Sequence, residues 1–158
     1  MPEGKVELRR ITYNARLSEE TAAFAADVWI DGKKVGDVRN DGHGGCNFYS
    51  PHTLRNDLQL IAASTLAPEE GWGGEPIPAD DETLVAKLLD AFLLKRDLDR
   101  LLKSRVLYVD GGSLYQTKSV KDPVMKQRLI EACKAKGFAV LNTLPEAEVL
   151  ELFKAMTK

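Results

Sequence analysis

From Ala22 to Ile30 every second residue is apolar: Ala22, Phe24, Ala26, Val28 and Ile30 alternate with other residues. A period of two places these side chains on one face of a β-strand and does not fit an amphipathic helix. Asp31-Gly32 follows at once, a dipeptide suited to a two-residue hairpin because glycine accepts positive φ. Lys33 to Asn40 is then the return strand, with Trp29 facing Lys34 across the hairpin. That pairing predicts a cation–π contact between them, worth about 0.5–1 kcal/mol at an exposed site. Upstream, in Lys5 to Leu17, Val6 and Leu8 share one parity, and Ile11, Tyr13, Ala15 and Leu17 share the other. The flip predicts a bulge near Arg9-Arg10. The N-terminal part therefore reads as an antiparallel β-meander.

The pattern then changes to helical spacing. Ser50-Pro51 predicts a helix start, with Ser50 as N-cap and Pro51 in the first helical position. The helix runs to about Leu66, and Leu54, Leu58, Ile61, Ala62 and Thr65 form its buried stripe. Residues 67–79, containing Gly71-Trp72-Gly73-Gly74, read as a flexible loop that could serve as a hinge or flap. Asp80-Asp81-Glu82 opens the longest helix, which ends near Lys103; acids at its start suit the positive end of the helix dipole. The last third reads as a ββαβα unit. Asp110-Gly111-Gly112-Ser113 is a hairpin turn. Asp122-Pro123 starts a helix with Met125, Leu129, Ile130 and Cys133 on its inner face, and Gly137 ends it. Phe138 to Leu141 is a short strand, and Thr143 with Glu146 fits a capping box for the final helix. The expected fold is α+β: an antiparallel N-terminal β-meander, two central helices and a C-terminal ββαβα unit sharing one core.

Length supports a single domain spanning 1–158, and 44% hydrophobic with 29% charged residues is ordinary globular composition. A formal net charge of -2 argues against a dedicated nucleic-acid binder. Cys46 and Cys133 lie far apart and make no disulfide framework, so two reduced thiols in a cytoplasmic setting are expected. The N-terminus, Met1 to Lys5, shows no apolar run that would read as a signal peptide. The longest apolar stretch, Leu84 to Leu94, is interrupted by Lys87 and Asp90, so no membrane span is expected.

Three blocks carry a resemblance. They are Ala15-Arg16-Leu17-Ser18-Glu19-Glu20-Thr21, then Val28-Trp29-Ile30-Asp31-Gly32-Lys33-Lys34-Val35-Gly36, then Asn40-Asp41-Gly42-His43-Gly44-Gly45-Cys46-Asn47. Over roughly the first third of the chain, these resemble a largely uncharacterised family of small bacterial and phage proteins. The resemblance implies an intracellular accessory protein that works by binding a host protein. It brings no activity assigned to particular residues.

The stretch 41–49 is where site chemistry concentrates. Gly42, Gly44 and Gly45 around His43 could let backbone N–H groups converge on an anion such as a nucleotide phosphate, or could simply form a tight turn. Cys46 with His43 or His52 offers a thiol nucleophile and a base, with Asp41 or Asn47 orienting the imidazole. That is the alternative reading, a small hydrolase or transferase. The same side chains match no common zinc spacing, so no metal is expected. Trp29, facing away from the buried parity of its strand, and Trp72, in a glycine-rich loop, are candidate binding anchors or core residues. No complete catalytic constellation is present. The leading expectation is a non-enzymatic binding protein needing no cofactor. It would take a protein partner or a small anionic ligand through Asp41, Gly42, His43, Gly44, Gly45, Asn47 and Tyr49, with Trp29 and Trp72 nearby.

Overall fold

Alternating apolar residues and glycine turns in the N-terminal third produce a four-stranded antiparallel sheet. Its order is β1-β2-β3-β4, where β1 is Val6–Asn14, β2 Ala23–Ile30, β3 Lys33–Asp41 and β4 Phe48–Ser50. The computed structural model describes residues 4–156; the reading of Met1 to Lys5 lies partly outside the described residues. The β1–β2 register slips between Arg9 and Thr12, and Arg10 adopts φ 52°. This bulge is what the parity flip required: Val6 is buried and Leu8, Ile11 and Tyr13 are half-buried on either side of it. In the β2–β3 hairpin Ile30 pairs with Lys33 across Asp31 and Gly32, whose φ values of 50° and 83° are both positive, as a type I′ turn demands. Phe24, Ala26, Val28 and Ile30 are buried as their alternation predicts.

The first helix departs from its predicted start. Ser50 remains in the sheet, paired with Asp37, and is joined to Pro51 by a cis peptide bond. Helix α1 spans Leu54–Thr65, and its N-cap Thr53 makes no side-chain capping bond. Strand pairing therefore overrides the local Ser-Pro capping signal. Leu54, Leu58, Ile61 and Ala62 are buried as expected, while Thr65 is exposed. A Cβ on Gly36 would stand 3.1 Å from Leu54, and one on Gly4 3.2 Å from Ile61, so α1 runs from β3 towards the start of β1.

Residues 67–79 are more ordered than a structureless loop. β5 (Glu69–Glu70) and β6 (Pro76–Ile77) form a small hairpin, and Gly71 N–H donates to the Glu75 carbonyl at 2.8 Å. Helix α2 follows over Asp81–Ser104. Asp80 Oδ1 accepts the Thr83 N–H at 2.9 Å, so Asp80 caps the helix.

The described residues fall into two compact units, the first reaching Asp90 within α2 and the second beginning at Ala91. In the second, β7 (Leu107–Asp110), β8 (Ser113–Gln116) and β9 (Ala139–Val140) form an antiparallel sheet in the order β8-β7-β9. Helices α3 (Pro123–Ala135) and α4 (Glu146–Met156) complete the expected ββαβα order. Asp122 accepts the Val124 N–H at 3.0 Å, and Gly137 after α3 has φ 82°. Strand alternation sorts side chains into two clusters: Leu107 joins Leu98, Leu141, Val149 and Phe153, whereas Val106 joins Ile130, Cys133 and Val140.

Two local expectations fail in this unit. Met125 is exposed rather than on the inner face of α3. Thr143 forms no capping box: its hydroxyl donates to the Val140 carbonyl at 2.9 Å, and Glu146 pairs with Lys95 at 2.8 Å. The fold is α+β with an N-terminal antiparallel sheet. Among the described residues no helix is long and apolar enough to cross a membrane.

Gly36 has no room for a side chain, because a Cβ there would collide with the Ser50 carbonyl oxygen of β4 and press on Leu54 of α1. Gly36→Ala should lower stability by about 1–3 kcal/mol, as overpacking typically does. Urea unfolding should show this as a lower midpoint with an unchanged slope.

Candidate functional site

The glycine loop is built around the Asn40 side chain. Its Oδ1 accepts the Thr21 hydroxyl at 2.7 Å and the Gly42 N–H at 2.9 Å, while its Nδ2 donates to Asn47 Oδ1 at 3.1 Å and to the Gly45 carbonyl at 3.4 Å. From the other side, the Gly42 carbonyl accepts the N–H groups of Glu19 at 3.0 Å and Glu20 at 3.1 Å. Gly42 has φ 87°, and a Cβ there would run into the Leu17 carbonyl, so only glycine permits this approach. Gly44 N–H donates to the Thr21 hydroxyl at 3.3 Å. The N–H groups of Gly42 and Gly44 are therefore bonded inward rather than converging on an open anion nest. The Glu20 carboxylate also lies against Gly44: a Cβ there would sit 2.6 Å from Glu20 Oε2.

The second half of the loop is anchored to the start of α2. Asn47 N–H donates to Glu82 Oε1 at 2.7 Å, and the Asn47 carbonyl accepts Arg55 Nη2 at 2.6 Å. The Tyr49 hydroxyl donates to Asp81 Oδ2 at 2.6 Å, and Arg55 Nε lies 3.8 Å from the same oxygen. Asp81 is only 4% exposed, so these two partners compensate a carboxylate removed from water. Burial first, and the bond to Asp81 second, hold the Tyr49 phenol far above its usual range. Burial likewise raises the Glu82 carboxyl above its ordinary value of 4.5, although the Asn47 N–H pulls the other way.

The structure separates several residues that the sequence groups together. Tyr49 and Asn47 are buried and bond to internal partners, so both act as struts, and Asn47 also lines the smaller of the two grooves that flank the loop. Cys46 is exposed, and its interaction with the Arg55 guanidinium raises the Arg55 pKa. His43 Nδ1 lies 3.4 Å from Glu19 Oε2, and His52 is exposed in the turn before α1. No hydrogen bond joins either histidine to the Cys46 thiol. Among the described residues no group of three or more His, Cys, Asp or Glu converges as a metal site would.

Trp29 lies at the far end of β2. Ala23 pairs with Asp41 beside the loop, and Trp29 pairs with Lys34 six residues on, roughly 20 Å away at strand rise. The predicted Lys34 contact is also replaced. Lys34 pairs with Asp27 at 3.5 Å, and the Arg9 guanidinium lies over the Trp29 ring at 4.0 Å. Arg9 is held there by two bonds to Glu7, the residue directly opposite Trp29. The Trp29 indole N–H is buried without a hydrogen-bond partner. Trp72, by contrast, is 100% exposed at the tip of the β5–β6 hairpin. Thr83 tethers that hairpin through Glu69 at 2.6 Å, so consecutive residues, Glu82 and Thr83, fasten the glycine loop and the tryptophan hairpin to the start of α2.

Two open grooves flank the loop. One of about 600 Å³ is lined by Thr12, Tyr13, Leu17, Phe24, Asp41 and His43. The other, about 390 Å³, has an apolar floor of Phe24, Val85 and Leu89 and a rim including Thr21, Glu82 and Asp90. Phe24 and Asn40 are common to both. Neither is lined by a lysine or an arginine. Residues 1–90 contain nine Lys/Arg and sixteen Asp/Glu, a formal charge of -7, whereas residues 91–158 contain thirteen and eight, +5. Asn40, Arg55, Asp81 and Glu82 escaped the sequence reading. The run Asp80-Asp81-Glu82 reads as a dipole-matched helix start, and nothing local says that Asp81 is buried. Compared with known protein families, curated proteins and solved structures, the chain matches none.

Tyr49→Phe would leave Asp81 without its hydroxyl partner and should cost about 1–3 kcal/mol in denaturant unfolding. Glu82 has the opposite sign. Its folded-state value lies above its ordinary one, so the folded chain binds that proton more tightly and the ionised carboxylate opposes folding at neutral pH. The opposition grows as pH rises from 4.5 through the raised value and is absent below 4.5. Glu82→Gln keeps an acceptor for the Asn47 N–H. It should melt higher than the parent protein at neutral pH and converge with it in acid; melts from about pH 3 to 8 check this.

Proposed function

We propose that the protein is a non-enzymatic binding protein that takes a protein partner through the rim of the Gly42–Tyr49 loop and the two grooves beside it. The observation that carries this reading is the loop's inward closure. Gly42, Gly44, Asn47 and Tyr49 bond to Asn40, Thr21, Glu82 and Asp81, while carboxylates remain at the rim. Asp41, Glu82 and Asp90 line the grooves, and Glu19 and Glu20 flank the loop. A surface of this sign repels a phosphate or nucleotide and attracts a basic segment. A protein partner is thus better supported than a small anion.

Trp72 supplies an aromatic anchor of the kind that dominates binding energy at interfaces. Trp29, covered by Arg9 at the other end of its strand, takes no part. His43 faces Glu19, and no hydrogen bond joins either histidine to Cys46, which favours binding over thiol catalysis. The bacterial or phage setting implied by the N-terminal motifs fits a partner belonging to the host cell.

Two measurements test the reading together. Phosphate, sulfate and ATP should leave the melting temperature unchanged, whereas a bound ligand at a hundredfold excess over its dissociation constant adds about 2.7 kcal/mol. A photo-crosslinker at position 72 should trap a discrete bacterial protein, and the double change Glu19→Arg, Glu20→Arg should abolish trapping without unfolding the chain. A clear upward shift with ATP or phosphate would overturn the proposal in favour of an anionic ligand.

A further inference from the structure

The second unit carries an unguarded strand edge. In the order β8-β7-β9, β8 has a hydrogen-bonded neighbour on one side only. Thr117 N–H donates to the Val106 carbonyl at 3.0 Å, so by the two-residue period residues 113, 115 and 117 point their backbone groups towards β7. Leu114 and Gln116 therefore direct their N–H and C=O groups outward. Strand edges are normally blunted by lysine, proline, charge or a bulge. β1, one edge of the four-stranded sheet, has charge and a bulge: Glu7, Arg9, Arg10 and the Arg9/Thr12 slip. Ser113-Leu114-Tyr115-Gln116 has none of them.

Both faces of this edge are shaped for further side chains. On one face Tyr115 stacks on Tyr108 with ring centroids 5.6 Å apart, and Tyr108 stacks on Phe138 at 5.1 Å. The stack crosses the sheet and ends at Tyr115, which is 47% exposed. Also at this edge is a cleft of about 220 Å³ lined by Leu101, Leu107, Leu114, Tyr115, Gln116 and Phe153. An aromatic stack ending at an open edge, with an apolar cleft beside it, matches the alternating side chains of an added strand.

We propose that β8 is a docking edge for an extended acidic segment of a partner protein, which adds antiparallel as a fourth strand. Its backbone pairs with Leu114 and Gln116. The residue opposite Tyr115 is aromatic and continues the stack, and the residues on either side of it are apolar and reach the cleft. Acidic flanks match the +5 formal charge of residues 91–158 and the lysines at 118 and 121 that follow β8. This edge is distinct from the acid-rimmed surface of the first unit, so either proposal can fail without the other.

The test uses the full chain and a capped synthetic peptide with Val-Tyr-Leu between pairs of acidic residues. Fluorescence anisotropy of the labelled peptide should show saturable binding. Tyr115→Ser and Gln116→Pro should each weaken it at least about tenfold, because one removes the end of the stack and the other an outward N–H. Gln116→Pro leaves the β7–β8 bonds in place, and an unchanged melting temperature checks that the variant is folded. Equal binding of a peptide with Val-Tyr-Leu replaced by Ser-Gly-Ser would reduce the interaction to charge and overturn the proposal, as would absence of binding. Concentration-dependent self-association abolished by Gln116→Pro would make a second copy the occupant, and tighter binding of a single-stranded oligonucleotide would make it a nucleic acid; either also overturns it.

Discussion

The side-chain amide of Asn40 is the fixed point of the first unit. An amide offers two donor hydrogens and one acceptor oxygen, and here both ends are engaged by groups from the turn before β2 and from the glycine loop. Its donors and its acceptor sit at opposite ends of one rigid plane. The loop is therefore held by directional bonds rather than by apolar packing, and its glycines are needed for approach and for positive φ. Because Asn40 is itself a residue of β3, the loop inherits its position from the register of the sheet.

Much of the architecture was legible because its signals are local. Asp31-Gly32 and Gly111-Gly112 dictate their turns by the φ they allow, and Asp122-Pro123 starts its helix with its own cap. The Arg9–Arg10 bulge was readable because one extra residue reverses the parity of a strand without ending it. Where a local signal failed, a distant group had taken its place: Ser50 belongs to Asp37 in the sheet, and Glu146 belongs to Lys95. The site was less legible for the same reason. Asn47 and Tyr49 look like surface groups of a glycine loop until their partners, 35 and 32 residues away in sequence, are known. Trp29 shows the reverse case, where the correct register put Lys34 opposite it and a neighbouring strand supplied the cation instead.

The overall charge conceals an uneven distribution. A sum of -2 suggests an almost neutral surface, yet the chain is acidic up to Asp90 and basic beyond it. Fields of opposite sign along one chain favour partners of opposite sign at its two units, and both fields weaken with salt.

The two tryptophans have an optical consequence. Both belong to the first unit, and the second contains none. Trp72 already sees water in the folded protein, so its emission changes little on unfolding. Trp29 lies beneath a guanidinium with its indole N–H enclosed. Intrinsic fluorescence therefore follows the loss of one ring's shelter in one sheet, and is nearly blind to what residues 91–158 do. Only a probe of backbone structure, such as far-ultraviolet circular dichroism, sees both units at once.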